Sequence, residues 1–182
     1  RGTANDFLTP EFCSKIACVF GNYLNEKFNA KNILVGTDPR TSSDMIKNAV
    51  ISGLLSAGCD VYDSGITSTP SIQYAVKEKI YKFDAGIMIT GSHIPIDRNG
   101  IKFFMPDGNE VYGKIEEELE NIYFGDKFKR ASWNEIGKIY AADAGKIYKE
   151  MLLREGIKVS KEEKLTVSGD TGHGAQSYIM PL

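Results

Sequence analysis

Ser92 stands in the stretch Thr90-Gly91-Ser92-His93-Ile94-Pro95, directly after the apolar run Ala85-Gly86-Ile87-Met88-Ile89. That run is short and apolar enough to be a buried strand, so the serine is expected at its carboxyl end. In open α/β sheets, loops at the carboxyl ends of strands are where ligands gather. Two chemistries use a serine placed in this way. An acyl-transferring serine sits in a G-x-S-x-G turn, but the flanking positions here hold Thr90 and Ile94. His93 is not expected to turn back onto its neighbour as a base, and the only other histidine is His173. A serine that carries a phosphoryl group fits better. Gly91 and Thr90 supply small size, backbone amides and a hydroxyl, and His93 a ring donor, for a dianion.

Other stretches agree in order. Arg1-Gly2, Val35-Gly36-Thr37-Asp38-Pro39-Arg40-Thr41-Ser42-Ser43, Gly65-Ile66-Thr67-Ser68-Thr69-Pro70, the Ser92 loop and Asn99-Gly100-Ile101-Lys102 follow one another along the chain. Together they resemble the motifs F-G-T-x-G-I-R-G, V-G-x-D-x-R-x-S-S, G-x-x-x-T-P, T-A-S-H-N-P and N-G-x-K of the α-D-phosphohexomutases, the phosphoglucomutase/phosphomannomutase family.

The resemblance implies an isomerase that interconverts hexose 1-phosphate and 6-phosphate, of glucose or mannose, through a phosphoserine and a hexose 1,6-bisphosphate. Ser92 is then the phosphoryl carrier, and His93 bonds near the reacting oxygens. Lys102 is a candidate general acid/base, and Arg1 contacts the transferring phosphate. Thr90 and Gly91, with Arg1 and Lys102, are expected to bind phosphate. Arg40 and Ser42 are expected to organise the turn against the loop, and Asn99-Gly100 to turn the chain so that Lys102 is aimed at the cleft. Asp97 and Arg98 are read as a solvated pair.

The resemblance also implies Mg²⁺, held by an oxygen of the phosphate on Ser92 and by carboxylates of a D-G-D-x-D-R loop; a hexose 1,6-bisphosphate would be the activator. Asp107-Gly108-Asn109 does not match that loop, so the carboxylate ligands are expected outside this chain, and the chain alone is expected neither to bind Mg²⁺ tightly nor to turn over. Gly91, Ile94 and His173 depart from the alanine and the two asparagines usual at these places. A phosphoglucosamine mutase and a non-catalytic phosphosugar-binding paralogue are the alternatives.

The elements that must position these residues alternate. Phe12, Ile16, Val19, Phe20, Leu24 and Phe28 recur at helical spacing behind the N-cap Thr9 and Pro10. A strand at Ile33-Leu34-Val35, a helix capped by Ser42 or Ser43 and running to about Ala57, a strand at 60–63 and a helix from Thr69-Pro70 follow. After the Ser92 loop come a return strand 101–104 and a charged helix 110–123. This predicts a three-layer α/β/α domain with a mixed, mostly parallel sheet over 1–124. Residues 125–142 read as linker and surface around Trp133. Residues 143–182 read as the truncated start of a second similar domain, with a helix 143–155, a strand 165–167 and a tight turn at Gly169–Gly174.

The net charge of −2 is spread over mixed signs, which points to no nucleic-acid or membrane surface. The expected partners are small hexose phosphates and the remaining domains of the same enzyme. No apolar run approaches the roughly 20 residues that span a bilayer. Cys13, Cys18 and Cys59 are unpatterned and read as reduced, buried thiols of a cytoplasmic protein.

Overall fold

The computed structural model describes residues 1–156, 166 and 168–180. Helix α1 (Pro10–Phe28) opens as its sequence predicts: the Thr9 hydroxyl accepts the Phe12 N–H at 3.3 Å, and Pro10 fills the first turn, where no donor is needed. Its apolar stripe buries Cys13, Ala17, Phe20 and Leu24, whereas Phe28 at the far end is half exposed. Strand β2 (Asn32–Thr37) leads to α2 (Ser43–Ser56), β3 (Asp60–Ile66), α3 (Thr69–Lys77) and β4 (Ala85–Ile89). All five residues of β4 are buried, because both of its neighbours are strands and both of its faces are covered by helices.

The sheet order is β6-β4-β2-β3-β7, with β6 (Ile101–Phe104) antiparallel to β4 and the other pairs parallel. Helices α1, α2 and α4 (Lys114–Phe124) cover one face; α3 and α5 (Ala144–Glu155) cover the other. The architecture is therefore a three-layer α/β/α sandwich with a mixed, mostly parallel sheet, as expected. A separate two-stranded ribbon, β1 (Gly2–Thr3) with β5 (Arg98–Asn99), ties the amino terminus to the Ser92 loop. Helices α1 and α2 approach so closely that a Cβ on Gly53 would meet the Ser14 carbonyl.

The local expectations need four corrections. Helix α4 begins at Lys114, not Glu110, because the chain turns back at 105–109 and pairs with β6: Val111 N–H reaches the Phe103 carbonyl at 2.8 Å. Gly113, at φ 59, then redirects it into the helix. Neither Ser42 nor Ser43 caps α2 with its side chain; both hydroxyls are held by other partners, described below. The segment 125–142 is not only linker, since β7 (Ile139–Ala141) adds a fifth strand beside β3. Trp133 within it is exposed, as a surface reading requires. Finally, α5 packs on α3, with Arg154 Nη2 donating to the Tyr74 hydroxyl at 3.0 Å and the Tyr74 and Tyr148 rings 6.1 Å apart. The strand expected over 165–167 lies, apart from Thr166, outside the described residues.

All three cysteines are free and buried. Burial pushes the Cys13 thiol up to about 11 and the Cys59 thiol up to about 12. Both are therefore expected to resist a thiol-disulfide reagent at pH 8 in native protein and to react once it unfolds. The sign for stability follows. Below an unfolded thiol value of about 8.5 both states keep these protons, so there is no pH dependence from them. Above it the unfolded chain loses protons that the folded chain retains, and stability falls as pH rises toward 11 to 12. Denaturant titrations at pH 7 and pH 10 check this.

Candidate active site

The site is assembled by register. Parallel pairing sets Thr37 of β2 opposite Ile89 of β4, and the Asp38 N–H extends the ladder to the Ile89 carbonyl at 2.9 Å. The turn after β2 and the Ser92 loop after β4 thus leave the sheet side by side, at its carboxyl edge.

Asp38 is buried where the two meet. One carboxylate oxygen accepts the Ser43 hydroxyl at 2.8 Å and the Arg40 N–H at 3.2 Å; the other accepts the Gly91 N–H at 2.9 Å and Arg40 Nε at 3.3 Å. The Arg40 guanidinium then spreads over the loop. Nη1 donates to the carbonyls of Pro95 and Arg98 at 2.7 and 3.2 Å, and Nη2 to those of Ile94 and Ser92 at 2.7 and 3.2 Å. All five guanidinium N–H donors are engaged. Arg40 lies where a Cβ on residue 91 would stand, so Gly91 lets the guanidinium approach in its present position.

Asn99 is not a turn former at the surface. It is fully buried in β5, and its side-chain amide donates to the Ser42 and Ser43 hydroxyls at 2.9 and 3.1 Å. The far end of the Ser92 loop is thereby pinned to the start of α2. Arg98 and Asp97 are exposed and serve the fold through their carbonyls, Asp97 by accepting the Ala4 N–H at 3.0 Å.

Within this frame Ser92 itself adopts φ 54, the left-handed region that costs a non-glycine residue about 1 kcal/mol or more. The Thr90 hydroxyl holds the bend by accepting the Ser92 N–H at 2.9 Å. The bend leaves the Ser92 side chain exposed and brings its Oγ to 3.1 Å from Nδ1 of His93. The neighbour that was not expected to turn back onto the serine does so, and the backbone conformation is the reason. Its signal is absent from the sequence, where Gly91 draws the expectation of unusual angles.

The other expected residues are placed elsewhere. Lys102 Nζ pairs with Glu110 at 2.8 Å, and Lys102 and Arg1 line a cavity of about 380 Å³ between the amino-terminal segment, β6 and α4. Ser92 opens instead into a cleft of about 450 Å³ with Asp38, Arg40, Thr90, Ile94 and the turn at Gly172–Ala175. The structure therefore joins Ser92, His93, Thr90 and Gly91, and places Arg1 and Lys102 in a neighbouring cavity, with Arg1 against Gly100, whose carbonyl accepts the Thr90 N–H at 2.9 Å. His173, expected in a tight turn where the family usually has asparagine, lies in the Ser92 cleft.

Among the described residues no three His, Cys, Asp or Glu side chains converge as a metal site. Asp107 is consumed locally: its oxygens accept the Asn109 N–H at 2.9 Å and the Asn109 side-chain amide at 2.8 Å, and the backbone bond chiefly holds its carboxyl below the ordinary value. The described side chains alone do not make a Mg²⁺ site.

Residues 1–130 match the family described as phosphoglucomutase/phosphomannomutase, alpha/beta/alpha domain I. The chain belongs to the phosphoglucomutase/phosphomannomutase family. Over its full length it is 42% identical to a probable phosphoglucosamine mutase of Pyrococcus abyssi and 42% identical to a phosphoglucomutase/phosphomannomutase of Thermococcus kodakarensis. It spans 38% and 40% of those proteins, respectively. The crystal structure of a phosphoglucomutase/phosphomannomutase family protein from Burkholderia thailandensis superposes with a TM-score of 0.74 at 26% identity, over 85% of this chain and 34% of that one. Members of this family are isomerases that move phosphoryl groups. No helix among the described residues is long and apolar enough to cross a membrane.

Proposed function

We propose that this chain is the phosphoserine-bearing part of a phosphohexomutase, which interconverts the 1- and 6-phosphates of a hexose. The observation that carries the reading is Ser92, exposed after the end of β4 in a left-handed conformation, in a loop tied at five points to Arg40 and Asp38. Phosphoryl transfer depends mainly on positioning and charge neutralisation, and a fixed, exposed oxygen meets the first need.

In the proposed step the bond from phosphorus to Ser92 Oγ breaks as one forms to a free hydroxyl of the hexose monophosphate. The hydroxyl proton ends on Oγ, with His93 Nδ1 at 3.1 Å as the relay. The second half-reaction runs the same step in reverse from the other phosphate of the bisphosphate, which also serves as activator. Mg²⁺, when bound, neutralises charge on the phosphoryl group. Here it would meet an oxygen on phosphorylated Ser92, with carboxylates supplied by the rest of the enzyme. Arg1 and Lys102 serve the same cleft once those parts close over it. The sandwich from β1 through α5 forms the first domain, and the chain beyond α5 leads into the second. The three free, buried thiols favour a reducing compartment, the cytoplasm.

Intact-mass and peptide mapping of the whole protein, before and after incubation with glucose 1,6-bisphosphate, tests the proposal. One phosphoryl group on Ser92, discharged by hexose monophosphate, is expected. A protein that never carries phosphate there is a phosphosugar-binding relative instead. Equal identity to a probable phosphoglucosamine mutase favours a second reading of the sugar, which parallel assays with glucose, mannose and glucosamine phosphates decide.

A further inference from the structure

A phosphoryl group on Ser92 brings a charge of about −1.5 to −2 and three acceptor oxygens into the cleft. The loop that carries it has little left to offer. The Gly91 and Ser92 N–H groups are engaged by Asp38 and by the Thr90 hydroxyl. The five N–H groups of Arg40 bond to Asp38 and to four loop carbonyls, and its charge is matched by the Asp38 carboxylate it touches. What remains on the loop is the hydroxyl hydrogen of buried Thr90, the backbone of His93 and the His93 ring. Lys102 and Arg1 line the neighbouring cavity, where Lys102 is paired with Glu110 and Arg1 lies against Gly100; neither lines the Ser92 cleft in this structure.

The rest of the cleft lining comes from the turn at Gly172–Ala175. Its exposed residue His173 is held at φ 56, after Gly172 at φ 55. The turn is fixed from below: Asp170 accepts the Gly172 N–H at 2.8 Å, and the Thr171 carbonyl accepts the Gly174 N–H at 2.9 Å. Of the two histidines of this sequence, 80 residues apart, one adjoins Ser92 on its own loop and the other lines the same cleft from the Gly172–Ala175 turn.

We propose that His173 is a ligand of the phosphoryl group on Ser92, donating a hydrogen bond and, when protonated, charge that the Ser92 loop lacks. The inference rests on the phosphoserine reading and adds to it a residue from outside the loop. A charge-assisted hydrogen bond of this kind corresponds to about ten- to a hundredfold in rate where it forms in the transition state.

The test uses the whole protein with ¹⁵N-labelled histidine, phosphorylated by glucose 1,6-bisphosphate, with wild type beside His173→Ala and His173→Asn. Ring nitrogen resonances of His173 are expected to shift on phosphorylation and to return when hexose monophosphate discharges the group. His173→Ala is expected to slow single-turnover transfer about tenfold or more with little change in the hexose phosphate KM, and His173→Asn, which keeps a donor, to recover part of the rate. Phosphate on Ser92 with unmoved His173 resonances, or transfer by His173→Ala at the wild-type rate, overturns this inference alone. Absence of phosphate from Ser92 overturns it together with the reading beneath it.

Discussion

Replacing Ser92 with alanine is expected to lower hexose-phosphate interconversion by roughly 10⁴-fold or more, the scale seen when a covalent carrier is removed. The fold should survive, because the hydroxyl is exposed and its described side-chain contact is with exposed His93. Ser92→Gly should be equally inactive yet more stable than wild type, by about 1 kcal/mol, since glycine accepts φ 54 without the Cβ penalty. The pair separates chemistry from strain: activity falls in both variants while stability rises in one. Thermal unfolding alongside the mutase assay reads both quantities, and an active Ser92→Ala protein would remove the basis for phosphoserine chemistry here.

Arg40→Ala is expected to damage both properties. The side chains of Arg40 and Asp38 are only 14% and 12% exposed, so removing the guanidinium leaves a largely buried carboxylate without its cation. Breaking one half of such a pair costs about 3 kcal/mol. In a protein of this size that lowers Tm by on the order of 10 °C. The carbonyls of Ser92, Ile94, Pro95 and Arg98 lose their common donor as well, and the loop loses the contact that fixes its path. Misplacing a reacting oxygen by about an ångström costs on the order of a hundredfold in rate. Arg40→Lys keeps a charge but not the planar five-donor fork, and should recover stability more than activity. Wild-type turnover by Arg40→Ala would show that the loop holds its shape without the clamp.

Much of the fold was legible in the sequence because the signals are local. Thr9-Pro10 at the head of α1, the apolar run of β4 and the alternation of strands with helices each follow from neighbours in the chain. Strand β7 carried no such signal: Ile139, Tyr140 and Ala141 are all exposed at the sheet edge, so they show no buried alternation, and only pairing with β3 makes them a strand. The start of α4 was misplaced because the acidic residues after Glu110 suit a helix, while the backbone there is already held by β6.

The candidate site divides in the same way. Ser92 is legible as a residue at a strand end, but its conformation and its contact with His93 depend on Thr90 and on the Arg40 clamp, 52 residues away. Asn99-Gly100 has the composition of a turn, and nothing local tells a surface asparagine from one buried against two serines. Asp38, two residues before Arg40, stands out in the sequence only as part of a motif. Its spacing from the arginine and its place at a strand end were the available signal for the pair that organises the loop.

The position of Arg40 against Gly91 also limits how this sequence can vary. A methyl group on residue 91 would meet the present guanidinium, the far end of a flexible side chain, which must shift to admit it. A change at 91 therefore alters how the arginine sits; a change at 40 leaves the loop unsupported. Through mutational space the two positions are linked, and the effect of substituting one has meaning only when the identity of the other is stated.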